Sequence, residues 1–162
     1  MNEIINYGKQ LLNNENKIII TGYIDNYNIF NIDIIKQLKI INFDLYDYII
    51  CKKINTTGFF MKWHIDDCAF IKHSKKNNLF NNKINNKLSI YYKNKIPKYS
   101  LIIYESKYNT DFTGGKLKFI DGTEIKPDIG LYVLFNSIHM HCVEKINSGS
   151  RICYLIKFYD KD

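Results

Sequence analysis

The second half of the chain is a succession of short apolar, β-branched runs set close together and separated by turn residues. They are Ser100–Glu105 (SLIIYE), Gly115–Ile120 (GKLKFI), Thr123–Ile125, Gly130–Phe135 (GLYVLF), His139–Ile146 and Arg151–Tyr159 (RICYLIKFY). Such runs favour strands. The Asp121-Gly122 pair between two of them is a strong hairpin signal, because a tight turn needs residues that tolerate positive φ. Upstream, Lys17–Tyr23, Tyr46–Ile54 and Gly58–Ile65 read as further strands. Asn2–Asn14 and Asn31–Leu38 carry apolar residues at helical spacing, the second with Asn31 or Asp33 as its cap. Seven or more short strands after two helices predict a mainly β fold with flanking helices, an antiparallel sandwich or barrel with a helical layer on one side.

A chain of 162 residues suits one domain, 1–162, and a hydrophobic content of 46% allows a real core. Residues 1–45 are expected to support the strands. Residues 70–99 break the pattern. They are rich in Lys and Asn, with one short strand expected near Leu88–Tyr92. Loops of this length inside compact domains are uncommon and often functional. The formal net charge of +7 is concentrated there. No acidic residue lies between Asp67 and Glu105, but eight lysines do, from Lys72 to Lys98. With Tyr91, Tyr92 and Tyr99 interleaved, the segment has features of a single-stranded nucleic-acid surface. It equally fits a solvated loop.

The N-terminal stretch has no continuous apolar leader, and no run approaches the roughly 18–20 apolar residues of a membrane span. The expectation is a soluble, intracellular protein with no membrane partner. Cys51, Cys68, Cys142 and Cys153 form no CxxC pair and are expected as reduced, mostly buried thiols.

The chemistry concentrates in Met61–Phe70, MKWHIDDCAF. On a strand, residues i and i+2 share a face, so His64 and Asp66 present a nitrogen and an oxygen ligand side by side. A third ligand has to come from elsewhere, and the remaining histidines are His73, His139 and His141. Two histidines and one carboxylate on one face of a metal leave three coordination positions open, which suits non-haem Fe(II) oxygen chemistry. A bidentate 2-oxo acid and O2 fill three positions. The far carboxylate of such an acid needs a cation, and Arg151 opens the final strand with the planar fork that matches a carboxylate.

With these residues in order, the segment from about Lys53 to Phe158 resembles the Fe(II)- and 2-oxoglutarate-dependent dioxygenases of the prolyl 4-hydroxylase-like branch. GFFMKWHIDD resembles the strand entering that branch's His-x-Asp pair, and SLIIYES its next core strand. FTGGKLKF resembles its Gly-Gly hairpin entry, KPDIGLYVLFNS its Pro-x-x-Gly strand, and HCVEKINSGSR the distal histidine and the basic residue ten positions on. The resemblance implies a double-stranded β-helix (jelly-roll) core. It implies His64, Asp66 and His141 as catalytic metal ligands for Fe(II), and Arg151 with Tyr104 as the 2-oxoglutarate contacts. O2 is the implied second co-substrate and ascorbate an optional reductant. It selects His141 over His139, because counting from His139 puts Gly149 at the basic position. His139 is then expected to line the pocket from the same strand face.

Where the branch often carries a tyrosine, nine or ten residues before the first metal histidine, this chain has Ile54 and Asn55. Asp67 is expected in a turn or ion pair, and Trp63, facing away from His64, in the core. The implied activity is hydroxylation of a substrate, with a protein side chain such as proline first. A nucleic-acid-modifying oxygenase, a non-catalytic jelly-roll binding module and a metal-dependent hydrolase are the alternatives.

Overall fold

The structure is a computed structural model, and it describes residues 18–24, 31–66 and 95–161. The expectations for Asn2–Asn14, Asp67, Cys68 and Leu88–Tyr92 lie outside the described residues, as do all the lysines from Lys72 to Lys93.

The strands are β1 (Ile19–Tyr23), β2 (Tyr46–Thr56), β3 (Met61–His64), β4 (Tyr99–Tyr104), β5 (Phe112–Gly114), β6 (Leu117–Phe119), β7 (Glu124–Ile125), β8 (Leu131–Asn136), β9 (His141–Val143) and β10 (Ile146–Asp160). The α-helix α1 (Ile32–Gln37) follows β1. Asn31 caps it, its side-chain oxygen accepting from the Asp33 backbone N–H at 2.9 Å.

The strands form two antiparallel sheets. The larger runs in the order β1-β8-β4-β10-β2, with β5 paired to the start of β10. The smaller runs β3-β9-β6-β7. Together they make the expected jelly-roll. β10 is longer than the sequence suggested, because its first residues pair with β5, Ser150–Asp160 with β2 and Cys153–Phe158 with β4. The expected strand His139–Ile146 is divided instead. Only His141–Val143 joins the smaller sheet, and Ile146 already belongs to β10.

Strand alternation assigns each face of the larger sheet to a different core. Ile20, Ile50, Leu101, Ile103, Leu134, Tyr154, Ile156 and Phe158 point away from the smaller sheet and are covered by Ile32, Ile34, Ile35 and Leu38 of the α1 region and by Phe43. Phe43 meets Phe158 edge-on at 5.2 Å between ring centroids. Ile19, Ile102, Tyr104, Val133, Phe135 and Cys153 point the other way, onto Leu117, Phe119, Ile125 and Val143 of the smaller sheet. A sheet buried on both faces needs apolar residues at every position, which explains continuous runs such as GLYVLF and RICYLIKFY. Against that background, Ser100, Arg151 and Lys157 are polar residues buried in the sheet.

Two expectations about individual residues are corrected. Trp63 is not core: it is 48% exposed, on a strand with no buried residue. His139 is not on a strand. It sits in the turn after β8, its ring tilted against Phe119 at 4.8 Å between centroids and with Nε2 3.6 Å from Asp121 Oδ2. Cys51, Cys142 and Cys153 are free thiols, and Cys51 and Cys153 are buried. Among the described residues, no helix is long and apolar enough to cross a membrane.

Candidate metal centre

His64 ends β3 and His141 begins β9, and the two are register partners. The pairing slips between Met61 and His64, so β3 uses one more residue than β9 over this stretch. Such a bulge re-aims side chains, and here it sets His64 directly against His141. Asp66 lies two residues past His64, its backbone N–H donating to the Ser137 carbonyl at 2.8 Å. The ligand atoms of His64, Asp66 and His141 all lie within 4.8 Å of one another. Asp66 Oδ1 is 3.5 Å from His64 Nε2 and 3.4 Å from His141 Nε2. Neighbouring donors on an octahedral metal with bonds of about 2.1 Å stand roughly 3 Å apart, so small adjustments would close the three around one ion.

The hydrogen bonds on the far side of each ring prepare it for this. His64 Nδ1 meets the Lys62 carbonyl at 2.6 Å, and His141 Nδ1 meets the His139 carbonyl at 2.7 Å. A carbonyl only accepts, so Nδ1 carries a proton in each ring, and Nε2, which faces Asp66, is the nitrogen left to ligate once any proton it shares with that carboxylate has gone. With Nδ1 protonated and Nε2 bare, each ring has the tautomer a metal-binding histidine requires. His139 thus acts through its backbone, which orients His141.

Asp66 is surrounded by cations and donors. Burial alone would push its carboxyl up. The Lys157 charge and hydrogen bonds from His141 and His64 outweigh that and hold it well below the usual carboxylate range. Burial would likewise lower His64, but its hydrogen bonds to Asp66 and the Lys62 carbonyl, with the Asp66 charge, leave it raised.

Lys157 is the residue that sequence reasoning missed. It is 3% exposed, and its ammonium contacts Asp66 Oδ2 and Ser100 Oγ. A signal was present: a lysine inside an apolar strand, six residues after Arg151 and therefore on the same face. Ser100 and Ser137 were also missed, since lone serines carry no pattern.

Arg151 is 4% exposed on the inter-sheet face of β10. Nη1 donates to the Gly115 carbonyl at 2.9 Å and Nη2 to Asn55 Oδ1 at 3.2 Å. Gly115 has φ +71°, and a Cβ there would come within 3.2 Å of Nη1, so glycine allows this approach. The guanidinium carbon lies 5.6 Å from the centre of the buried Tyr104 ring. Among the described residues Nε has no hydrogen-bond partner, and no carboxylate pairs with the guanidinium. A buried guanidinium without a counter-ion is what a carboxylate-binding site needs before its ligand arrives. The donor set of one carboxylate and two imidazoles, with Arg151 on the same inter-sheet face, fits a divalent iron and a dicarboxylate.

The jelly-roll of two antiparallel sheets is the fold of the 2-oxoglutarate- and Fe(II)-dependent oxygenases. One solved structure with this fold is a viral collagen prolyl hydroxylase from Paramecium Bursaria Chlorella virus-1, in complex with 2-oxoglutarate. It is 17% identical over 99% of this chain and 89% of that one, with a TM-score of 0.51. A Burkholderia pseudomallei oxidoreductase of the 2OG-Fe(II) oxygenase family (14% identity, TM-score 0.49) is also similar, over 78% of this chain. So is a Pseudomonas putida prolyl-4-hydroxylase (17% identity, TM-score 0.48), over 80% of this chain. The chain spans 50% and 59% of those two proteins. No protein-family model and no curated protein sequence matches it.

Proposed function

We propose that this protein is an Fe(II)- and 2-oxoglutarate-dependent hydroxylase acting on a protein side chain, with proline the first candidate. The observation that carries the reading is the convergence of His64 Nε2, His141 Nε2 and Asp66 Oδ1, with the guanidinium of Arg151, paired with no carboxylate among the described residues, buried on the final strand. Hydrolysis at the same metal would give Arg151 no role.

In this reading His64, Asp66 and His141 would hold the iron, a donor set that suits non-haem Fe(II) oxygen chemistry. Fe(II), when bound there with 2-oxoglutarate and O2, supplies oxidative chemistry in which one oxygen atom enters a substrate C–H bond and the other enters succinate, with release of CO2. Arg151 holds the distal carboxylate of 2-oxoglutarate through paired N–H donors, in exchange for its bonds to Asn55 and Gly115. Asn55, which with Ile54 occupies the place where the resembled branch often carries a tyrosine, keeps the guanidinium oriented before ligand binding. Tyr104 packs beneath the guanidinium. Burial, against the opposing pull of the Arg151 charge, raises its hydroxyl well above the usual range, so it stays a neutral donor. The apolar layer of Val133, Phe135 and Phe119 behind the site excludes water.

A proline substrate is supported by the likeness to a viral collagen prolyl hydroxylase. The nucleic-acid alternative drew on the lysines of residues 70–99, most of which lie outside the described residues, and nothing in the described site favours it. The deciding experiment is anaerobic titration with Fe(II) and then 2-oxoglutarate, following the visible charge-transfer band, with Arg151→Ala alongside. A band in the wild type that weakens in the variant is expected. No band in folded, iron-loaded protein overturns the reading in favour of a binding module. Succinate formation is then measured with proline-rich peptides and with single-stranded DNA or RNA.

A further inference from the structure

The two oxygens of Asp66 are held in different ways. Oδ1 faces the two histidines, 3.5 and 3.4 Å from their Nε2 atoms. Oδ2 turns inward, to the Lys157 ammonium and to Ser100 Oγ at 2.6 Å. Ser100 and Lys157 are cross-strand partners on β4 and β10, so the sheet register brings both to the same oxygen. The local hydrogen-bond order follows from donor supply. Lys157 has only protons to give, and donates to Oδ2 and to Ser100 Oγ at 2.8 Å. Ser100 spends its one proton on Oδ2 and therefore accepts from Ser137 Oγ, also at 2.8 Å. Ser137 in turn fixes the Asp66 backbone through its carbonyl. Ser100 and Ser137 are fully buried, and Lys157 nearly so.

Burying an ammonium is costly unless it is paired, and an apolar residue of similar volume would generally serve stability as well. A buried lysine on the inner oxygen of a metal-facing carboxylate has a geometric consequence instead. It leaves that carboxylate one oxygen with which to ligate. Resting on the proposed metal centre, we propose that Lys157, backed by Ser100, is a positioning residue that keeps Asp66 a one-oxygen ligand. A carboxylate that chelated through both oxygens would take four positions with the two histidines and leave two. A bidentate 2-oxo acid and O2 together need three. Lys157 also neutralises the Asp66 charge, so a divalent ion there keeps its full double charge toward an incoming dianion.

The test uses Mn(II) alone as the probe and counts its exchangeable bound waters by pulsed EPR in 17O-enriched water. Wild type, Lys157→Met and Lys157→Arg are compared after circular dichroism shows each is folded. Wild type is expected to hold about three waters, Lys157→Met about two, and Lys157→Arg about three again. A count of two in the wild type overturns the proposal without any variant, so the test stands even if Lys157→Met fails to fold. An unchanged count of three in folded Lys157→Met also overturns it, and leaves the metal centre itself intact. Failure of wild type to bind Mn(II) removes the metal centre and this inference together.

Discussion

His64 and His141 are opposed across the β3–β9 pair, with ring centroids 4.3 Å apart and each Nδ1 anchored to the carbonyl two residues before it. Removing either ring takes away one nitrogen ligand but leaves the strand pairing. His64→Ala is expected to weaken Mn(II) or Co(II) binding by more than the roughly 10–100-fold typical of an outer-shell change. Metal titration of the folded variant measures this. Binding within twofold of wild type would remove His64 from the ligand set.

Protons compete with the metal for these nitrogens. His64 titrates above its ordinary value of 6.5, while Asp66 is held well below the carboxylate range and stays ionised near neutrality. The proton bound to His64 must leave before Nε2 can ligate. Metal affinity should therefore be level above the raised His64 pKa and fall by about tenfold per pH unit below it, from this histidine alone. Titrations at about pH 8 and about pH 6, with proton release recorded, test the sign. Affinity that rises on acidification would contradict it.

Arg151 and Asn55 are register partners on β10 and β2, joined by a 3.2 Å hydrogen bond. A hydrogen bond to a charged group is worth about 1.5–3 kcal/mol. Arg151→Met should accordingly raise the 2-oxoglutarate Kd by roughly 10–100-fold and leave Mn(II) affinity unchanged. Asn55→Ala should have a smaller effect in the same direction. Calorimetry with and without 2-oxoglutarate separates the two ligands. A parallel loss of metal binding would mean that Arg151 supports the fold rather than the co-substrate.

Gly149 has φ +79°, and a Cβ there would sit 1.9 Å from the Asp111 carbonyl oxygen, which cannot move without disturbing the β5–β10 pairing. Gly58 has φ +93° but open space around it. Gly58→Ala should cost about 1 kcal/mol of backbone strain, and Gly149→Ala clearly more. At roughly 2–4 °C per kcal/mol for a chain of this size, thermal melts should separate the pair. Equal melting temperatures would show that the β5 edge yields easily.

Much of the architecture was legible because strand signals are local. The Asp121-Gly122 turn pairs β6 with β7 as expected, and Asn31 caps α1. The metal-facing pair His64 and Asp66 was visible from i, i+2 spacing. Arg151 stood out as a cation at the start of an apolar run. Trp63 was misread because alternation says which side chains share a face, not which face the rest of the molecule covers. His139 was misread because a two-residue alternation was extended through a turn.

The sequence by itself determined the β-rich class, the turns and the ordered set of chemically capable residues. These depend on side-chain shape and near-neighbour spacing. The resemblance selects His141 as the distal histidine, but only the tertiary structure decided how it meets His64, because that rests on a register slip in β3. It alone joined Lys157 and Ser100 to Asp66, across sequence separations of 91 and 34 residues. Long-range register follows from packing two sheets around one core, and no local pattern encodes which polar side chains that packing will bring to the same oxygen.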